Sequence, residues 1–199
     1  MAPSFYKLGA TLLSLAITFD QNAVTYSPMK LDIRLADHED INILSALGIT
    51  TCYEAYFAID PSRDLADYCA RIYSPEKVQT EFTDENSTYL IAECDARAGG
   101  FAKLRENNKV ECLGEANAIE LQRIYVLAQL KGHGLGRALL SKCVEIGRDR
   151  GFQQLFLGVW DKNVAAQEFY ERIGMKRVGT TGFNDGKNDF LNFVYAVNI

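Results

Sequence analysis

The stretch that most constrains the fold is Lys131-Gly132-His133-Gly134-Leu135-Gly136-Arg137. It follows an apolar strand pattern, Ile119 to Val126, and opens an amphipathic helix expected over 134–150. Glycine takes positive φ freely and has no Cβ to hold a ligand off the backbone. A helix N-terminus adds unpaired N–H groups and partial positive charge. The combination suits a pyrophosphate, so the chain is expected to bind a phosphorylated cofactor here.

Exclusion narrows the cofactor. The dinucleotide fingerprint G-x-G-x-x-G fails in both registers, because Arg137 or Leu139 stands where the third glycine should be. The Walker pattern fails because no Gly-Lys-Ser/Thr follows. What remains is a basic or amide residue, two variable positions, then Gly-x-Gly. Lys131 to Gly136 has that form, and Gln129 to Gly134 fits it literally two residues earlier. A glycine-rich turn without a ligand is the plain alternative. The next segment weighs against it. An apolar run, Gln154 to Trp160, leads to Asp161-Lys162-Asn163 and a helix ending near Gly174-Met175. Asn163 suits an N-cap and Gly174 a C′ position. Asn163 and Tyr170 lie two turns apart, on one helix face. The two motifs together resemble the acyl-CoA signatures of the Gcn5-related N-acetyltransferases, the GNAT superfamily. Glu120 to Val126, Lys131 to Leu140, Leu157 to Asn163 and Gly182-Phe183-Asn184-Asp185-Gly186 look like the PaiA-type polyamine acetyltransferases. The resemblance is strongest over 116–190, weak over 31–110 and absent over 1–28.

The resemblance implies an α/β GNAT fold. Its central sheet would be mixed but mostly antiparallel, flanked by helices and splayed between the fourth and fifth strands, opening after Val126. It implies acetyl-CoA as co-substrate, with no metal, and direct transfer of acetyl to a primary amine. A small polyamine such as spermidine or spermine comes first as acceptor. The pyrophosphate would sit on backbone N–H groups from Gly132 and His133 through Gly134, Leu135 and Gly136 to Arg137, with Lys131 beside it. Backbone near Val126 would bond the acetyl carbonyl and pantetheine. An alkylammonium must lose a proton before it attacks, and Glu120 matches the glutamate base of some relatives; an exposed strand glutamate is the alternative. Tyr170 is the candidate acid for the leaving thiolate, against a plain core tyrosine. Asn163 would bond the pantetheine, against capping alone. Two other readings stay open: acetylation of a protein or peptide amine, and a non-catalytic acetyl-CoA-binding regulatory module.

Elsewhere the patterning predicts a strand at 31–36, helices at 39–57, 61–73 and 75–83, and strands at 87–93 and 98–105 about Asp95-Ala96-Arg97. Further strands are expected at 116–126, 153–159, 176–184 and 189–197, and a helix at 163–173. Glu54, Asp60, Asp64 and Asp67 fall where this superfamily shapes its acceptor site, though a solvated helix face explains them as well. Trp160 and Tyr125 flank the expected cleft, where aromatics at strand ends more often serve the core. His133 is expected to act through its backbone N–H.

A net charge of −5 argues against nucleic-acid binding and is compatible with a cationic substrate. Five cysteines without C-x-x-C suit a reducing cytoplasm rather than a disulfide framework or a zinc site. The length fits one acetyltransferase domain over 29–199, and a homodimer is compatible with it. Residues 1–28 form an extension. Leu8 to Phe19 has the length of a signal core, yet only Lys7 supplies positive charge, and the run is too short to span a bilayer. A start at Met29 is the first expectation, then a packed extension, then a signal segment.

Overall fold

A computed structural model describes residues 30–60, 63–184 and 189–199. The expected extension, Pro61, and Asp185-Gly186 of the tail motif lie outside the described residues.

The chain runs β1 (Leu31–Leu35), α1 (Ile41–Tyr56), α2 (Asp64–Ile72), α3 (Pro75–Phe82), β2 (Ser87–Cys94), β3 (Arg97–Arg105), β4 (Ala118–Val126), α4 (Leu135–Asp149), β5 (Gln154–Trp160), α5 (Val164–Arg172), β6 (Lys176–Asn184) and β7 (Asp189–Asn198). Local chemistry accounts for many of these bounds. Ser74 caps α3 by accepting the Lys77 N–H at 3.2 Å, and Pro75 occupies the first turn, where its missing N–H costs nothing. Between β2 and β3 the turn is two residues rather than three. Asp95 and Ala96 both take positive φ, and Arg97 joins β3 opposite Cys94. Such a turn matches the right-handed twist of the strands it joins.

Seven strands form one sheet in the order β1-β2-β3-β4-β5-β7-β6. Every pairing is antiparallel except β4 with β5. One face packs on α4 and α5 through a core that includes Leu104, Ile119, Leu121, Leu139 and Leu157. The other face packs on α1, α2 and α3 through Leu44, Leu65, Tyr73, Val78 and Phe101.

Two irregularities in β4 create the functional geometry. Lys103 faces Arg123 while Leu104 faces Leu121, so Gln122 is an extra residue, a β-bulge. Upstream of it Ile119 and Leu121 face the α4 core. Downstream the phase flips, and Ile124 and Val126 take that face. The bulge therefore presents Glu120, Gln122, Arg123 and Tyr125 on the opposite side. The second irregularity is the splay. β4 pairs with β5 only from Ala118–Gln154 to Glu120–Phe156. The strands part after Glu120, not after Val126 as expected, because β5 continues along β7 up to Trp160–Asn192 while β4 follows β3. The opening is thus lined by the last six residues of β4.

Candidate active site

On the α4 side, the glycine loop meets its structural requirements. Gly132 and Gly134 have φ of +83° and +90°, and a Cβ at either would meet no protein atom within 4 Å. The space beside the backbone is open. Helix α4 starts at Leu135, and its first i to i−4 bond runs from Ala138 N–H to Gly134 O at 3.0 Å. The N–H groups of Leu135, Gly136 and Arg137 precede that bond and lie outside the helix ladder. Lys131, His133 and Arg137 are exposed around the loop. His133 places Nδ1 3.1 Å from the Lys131 carbonyl. Val126 ends β4 with Cγ2 about 4.0 Å from the Cβ position of Gly136, which seats the loop against the open end of the strand. Backbone donors, open space and flanking cations fit a pyrophosphate.

On the opposite side lies a pocket of about 620 Å³. Its walls come from α1 and α2, the start of α3, the splayed part of β4, the end of β5, and the β6–β7 hairpin. Aromatic rings shape it. Tyr56 packs on Trp160 at 5.9 Å, and Trp160 meets Phe190 edge-on at 5.6 Å. Burial pushes the Tyr56 and Tyr125 pKa values up, so both phenols stay neutral.

Glu120 lies where β4 and β5 part. Its side chain is only 12% exposed, and its Oε2 accepts from Arg105 Nε at 2.6 Å. Beneath the adjoining wall, one carboxylate serves several donors. Glu81 accepts from Arg123, from Lys103 at 2.8 Å and from the Tyr89 hydroxyl at 2.8 Å, and Lys77 approaches to 3.6 Å. Burial raises the cost of charging Glu81, but Arg123 and Lys103 outweigh it and hold the carboxyl down at about 2. Lys103 is 3% exposed; burial, which outweighs the pull of Glu81, brings its ammonium down to about 8. The Arg123 guanidinium also lies 4.9 Å from the centre of the Tyr73 ring.

Tyr170 lies on α5 and Asn163 caps its N-terminus, on the α4 side of the sheet. Tyr170 is 8% exposed in the core with Leu139 and Cys143, and it is not on the pocket wall. Burial raises its pKa, with Tyr56 and Cys143 adding to the effect, so the phenol keeps its proton. Asn163 Oδ1 accepts the Ala166 N–H at 3.2 Å, the capping role expected of it.

The structure thus brings Glu120, Gln122, Tyr125 and Trp160 to one pocket, with the glycine loop at the far end of β4. Of the acidic residues expected near the acceptor, Asp60 and Asp64 line the pocket. Glu54 instead accepts the Ala128 N–H at 2.9 Å, and Asp67 is not on the wall. Sequence reasoning passed over Tyr56, Lys77, Gln122 and Arg123. The bulge did leave a trace: the apolar spacing of β4 slips from even to odd between Leu121 and Ile124. Nothing comparable marks Tyr56 or Lys77.

The Acetyltransferase (GNAT) family profile matches residues 49–175, and the chain belongs to that family. It is an N-acetyltransferase of the GNAT fold, for which acetyl-CoA is the co-substrate. An N-acetyltransferase encoded in the pepI 3′ region of Lactobacillus delbrueckii subsp. lactis is 26% identical over 156 residues, covering 77% of this chain and 90% of that protein. An N-acetyltransferase of Mycobacterium tuberculosis is 34% identical over 112 residues, covering 55% of this chain and 67% of that protein. Among solved structures, PaiA N-acetyltransferase from Thermoplasma acidophilum in complex with coenzyme A superposes with a TM-score of 0.69 at 22% identity, covering 86% of this chain and all of that one. Among the described residues, no helix is long and apolar enough to cross a membrane.

Proposed function

We propose that the chain transfers the acetyl group of acetyl-CoA directly to a primary amine of a small molecule held in the pocket at the β4–β5 splay. The carrying observation is that splay. It leaves one strand, β4, with an open phosphate-type loop at its end and an aromatic-walled pocket on its opposite face. Acetyl-CoA, when bound, supplies a thioester carbonyl and a thiolate leaving group. Backbone N–H groups from Gly132 to Arg137 hold its pyrophosphate, and Lys131 balances its charge. Backbone at Val126 polarises the carbonyl, and Asn163 bonds the pantetheine from the head of α5. Glu120 takes the proton from the amine. Tyr170, protonated at neutral pH, gives its phenol proton to the thiolate as the C–S bond breaks.

Asp60, Asp64 and Glu120 on the wall support a cationic acceptor. Among such amines the sequence resemblance favours spermidine or spermine. A concave pocket of about 620 Å³ with aromatic walls is of the size that takes a small molecule. Release of the CoA thiol from acetyl-CoA across small amines and a lysine-containing peptide tests this. Turnover of small amines is the expected result. Turnover of the peptide alone would show a protein acetyltransferase, and acetyl-CoA binding without turnover would show a regulatory module.

A further inference from the structure

Resting on the reading of β4 as the strand that serves both halves of the site, we infer that Glu81 is a positioning residue for the transfer. Its carboxylate gathers Tyr89, Lys103 and Arg123 from three adjacent strands and holds the β4 bulge. It thereby fixes which residues of β4 face the amine and which face acetyl-CoA. Glu81 itself is not on the pocket wall.

The first observation is a row across the sheet. Tyr89, Lys103 and Arg123 are direct cross-strand neighbours on β2, β3 and β4. All three side chains turn toward α3. There Glu81 accepts from the Tyr89 hydroxyl at 2.8 Å, from Lys103 at 2.8 Å and from both terminal nitrogens of Arg123. The Tyr89 hydroxyl in turn accepts from Arg123 at 3.2 Å. Lys77 adds a longer contact from the solvent side, at 3.6 Å. Among the described residues, no second carboxylate lies within 4 Å of Lys103 or Arg123. Both cations are largely buried, and like charges opposite each other on neighbouring strands repel. The row therefore depends on the carboxylate above it.

The second observation is where this row falls. Lys103 and Arg123 form the first pair beyond the bulge. If β4 paired without a bulge, Gln122 would face Lys103 and Arg123 would face Ala102. The Arg123 guanidinium would then enter the apolar core of Ala102, Leu104 and Leu139 with its charge unpaired. Ile124, Tyr125 and Val126 would exchange faces with it. In the observed phase Tyr125 lines the pocket and Val126 lies against Gly136 of the glycine loop. That is the phase in which Arg123 reaches Glu81. Fixing register is the best-attested use of a buried ion pair. Arg123 borders the pocket, yet it is built as an anchor: two of its nitrogens bond Glu81, and its guanidinium lies 4.9 Å from the centre of the Tyr73 ring.

Amide hydrogen exchange and steady-state kinetics on the full chain test the inference. In Glu81→Gln, exchange over 121–126 should rise by about tenfold or more while β6 and β7 keep their protection. With both substrates saturating, kcat for the best small amine should fall by about tenfold, as a displaced site residue gives. The dissociation constant of acetyl-CoA should change by less than about threefold, because the glycine loop is a local structure. Lys103→Met in that background removes the second buried cation, and kcat should return to within about threefold of wild type, where independent effects would multiply. Tyr89→Phe removes one hydroxyl and no charge, so it reports even if Glu81→Gln fails to fold: exchange over 121–126 should rise by about threefold. Exchange that is unchanged, or that rises equally in every strand, would overturn the inference. So would an unchanged kcat in Glu81→Gln, or losses that multiply in the double variant. If no small amine is turned over, the small-amine reading falls, and exchange over 121–126, which needs no acceptor, alone upholds or overturns the role of Glu81.

Discussion

The two halves of the site are built in different ways. The cofactor half is local: seven consecutive residues, Lys131 to Arg137, supply the turn, the positive φ values and the helix N-terminus. The acceptor half is assembled from α1, α2, the start of α3, a bulged β4, β5 and the β6–β7 hairpin, residues spread from Cys52 to Asn192. A local site can be carried intact by a short motif, whereas a dispersed one can be changed one wall at a time. On the proposed reading, acetyl-CoA is held by the first kind and the acceptor is chosen by the second. Substitutions should therefore separate cleanly into those that affect acetyl-CoA and those that affect the amine.

The largest effect expected is on the local half. Gly134→Asp forces a side chain onto a residue at φ of +90° and puts a negative charge where a pyrophosphate must lie. Acetyl-CoA affinity should fall by ~100-fold or more. The fold should survive, since the added Cβ meets no protein atom within 4 Å. Calorimetry of acetyl-CoA binding checks it; unchanged affinity would remove the loop from the cofactor site.

Tyr170→Phe tests the joint between the halves. The ring stays in the core with Leu139 and Cys143, so binding of acetyl-CoA should hold while kcat drops by ~10²-fold, the contribution of a general acid. Full activity would return Tyr170 to a packing role and sharpen the division, leaving no chemistry on α5.

The acceptor half should also be the part sensitive to acid. Burial works against the charge on Glu81, yet Arg123 and Lys103 bring its pKa from 4.5 to about 2. A folded-state pKa below the unfolded one stabilises fully above about pH 4.5, and the contribution is lost as pH falls toward 2. The difference corresponds to ~3 kcal/mol at neutral pH. Urea unfolding of Glu81→Gln should show a deficit of that order at pH 7, shrinking by pH 3. A deficit independent of pH would mean that Glu81 acts through packing alone.

This contrast also explains what could be read from the chain. The mixed sheet, the order of its elements and the glycine loop are legible because each rests on periodicity or on a run of a few residues. Gly151 and Gly174 mark helix ends by the same local logic, with φ of +81° and +93°. The point of the splay was misplaced by six residues, because it depends on which neighbour β4 and β5 follow after Glu120, a fact of long-range pairing. Tyr56 and Lys77 were invisible for the same reason. Each sits in a helix whose own pattern says only which face is apolar, and the pocket they line is completed by strand residues roughly thirty to more than a hundred positions later. Gln122 lies between these cases. Its slip in apolar spacing is visible, but the pocket that the bulge turns it toward depends on distant neighbours.

The smallest effect expected tests whether the halves are independent. A side-chain hydrogen bond joins α1 of the acceptor half to the segment leading into the glycine loop: Glu54 Oε2 accepts the Ala128 N–H at 2.9 Å. Glu54 and Tyr56 are two residues apart and so project from nearly opposite sides of the helix. One reaches the loop, and the other forms the wall of the pocket. Glu54 is exposed, so losing this bond should cost little, about threefold to tenfold in acetyl-CoA affinity for Glu54→Ala. If the halves are independent, KM for the amine stays within experimental error. If α1 transmits the loop's position to the pocket, KM for the amine rises with it, and saturating acetyl-CoA restores it. The second outcome would mean that the bound cofactor helps to set the shape of a pocket it does not line, so the dispersed half would depend on the local one even though their residues are separate.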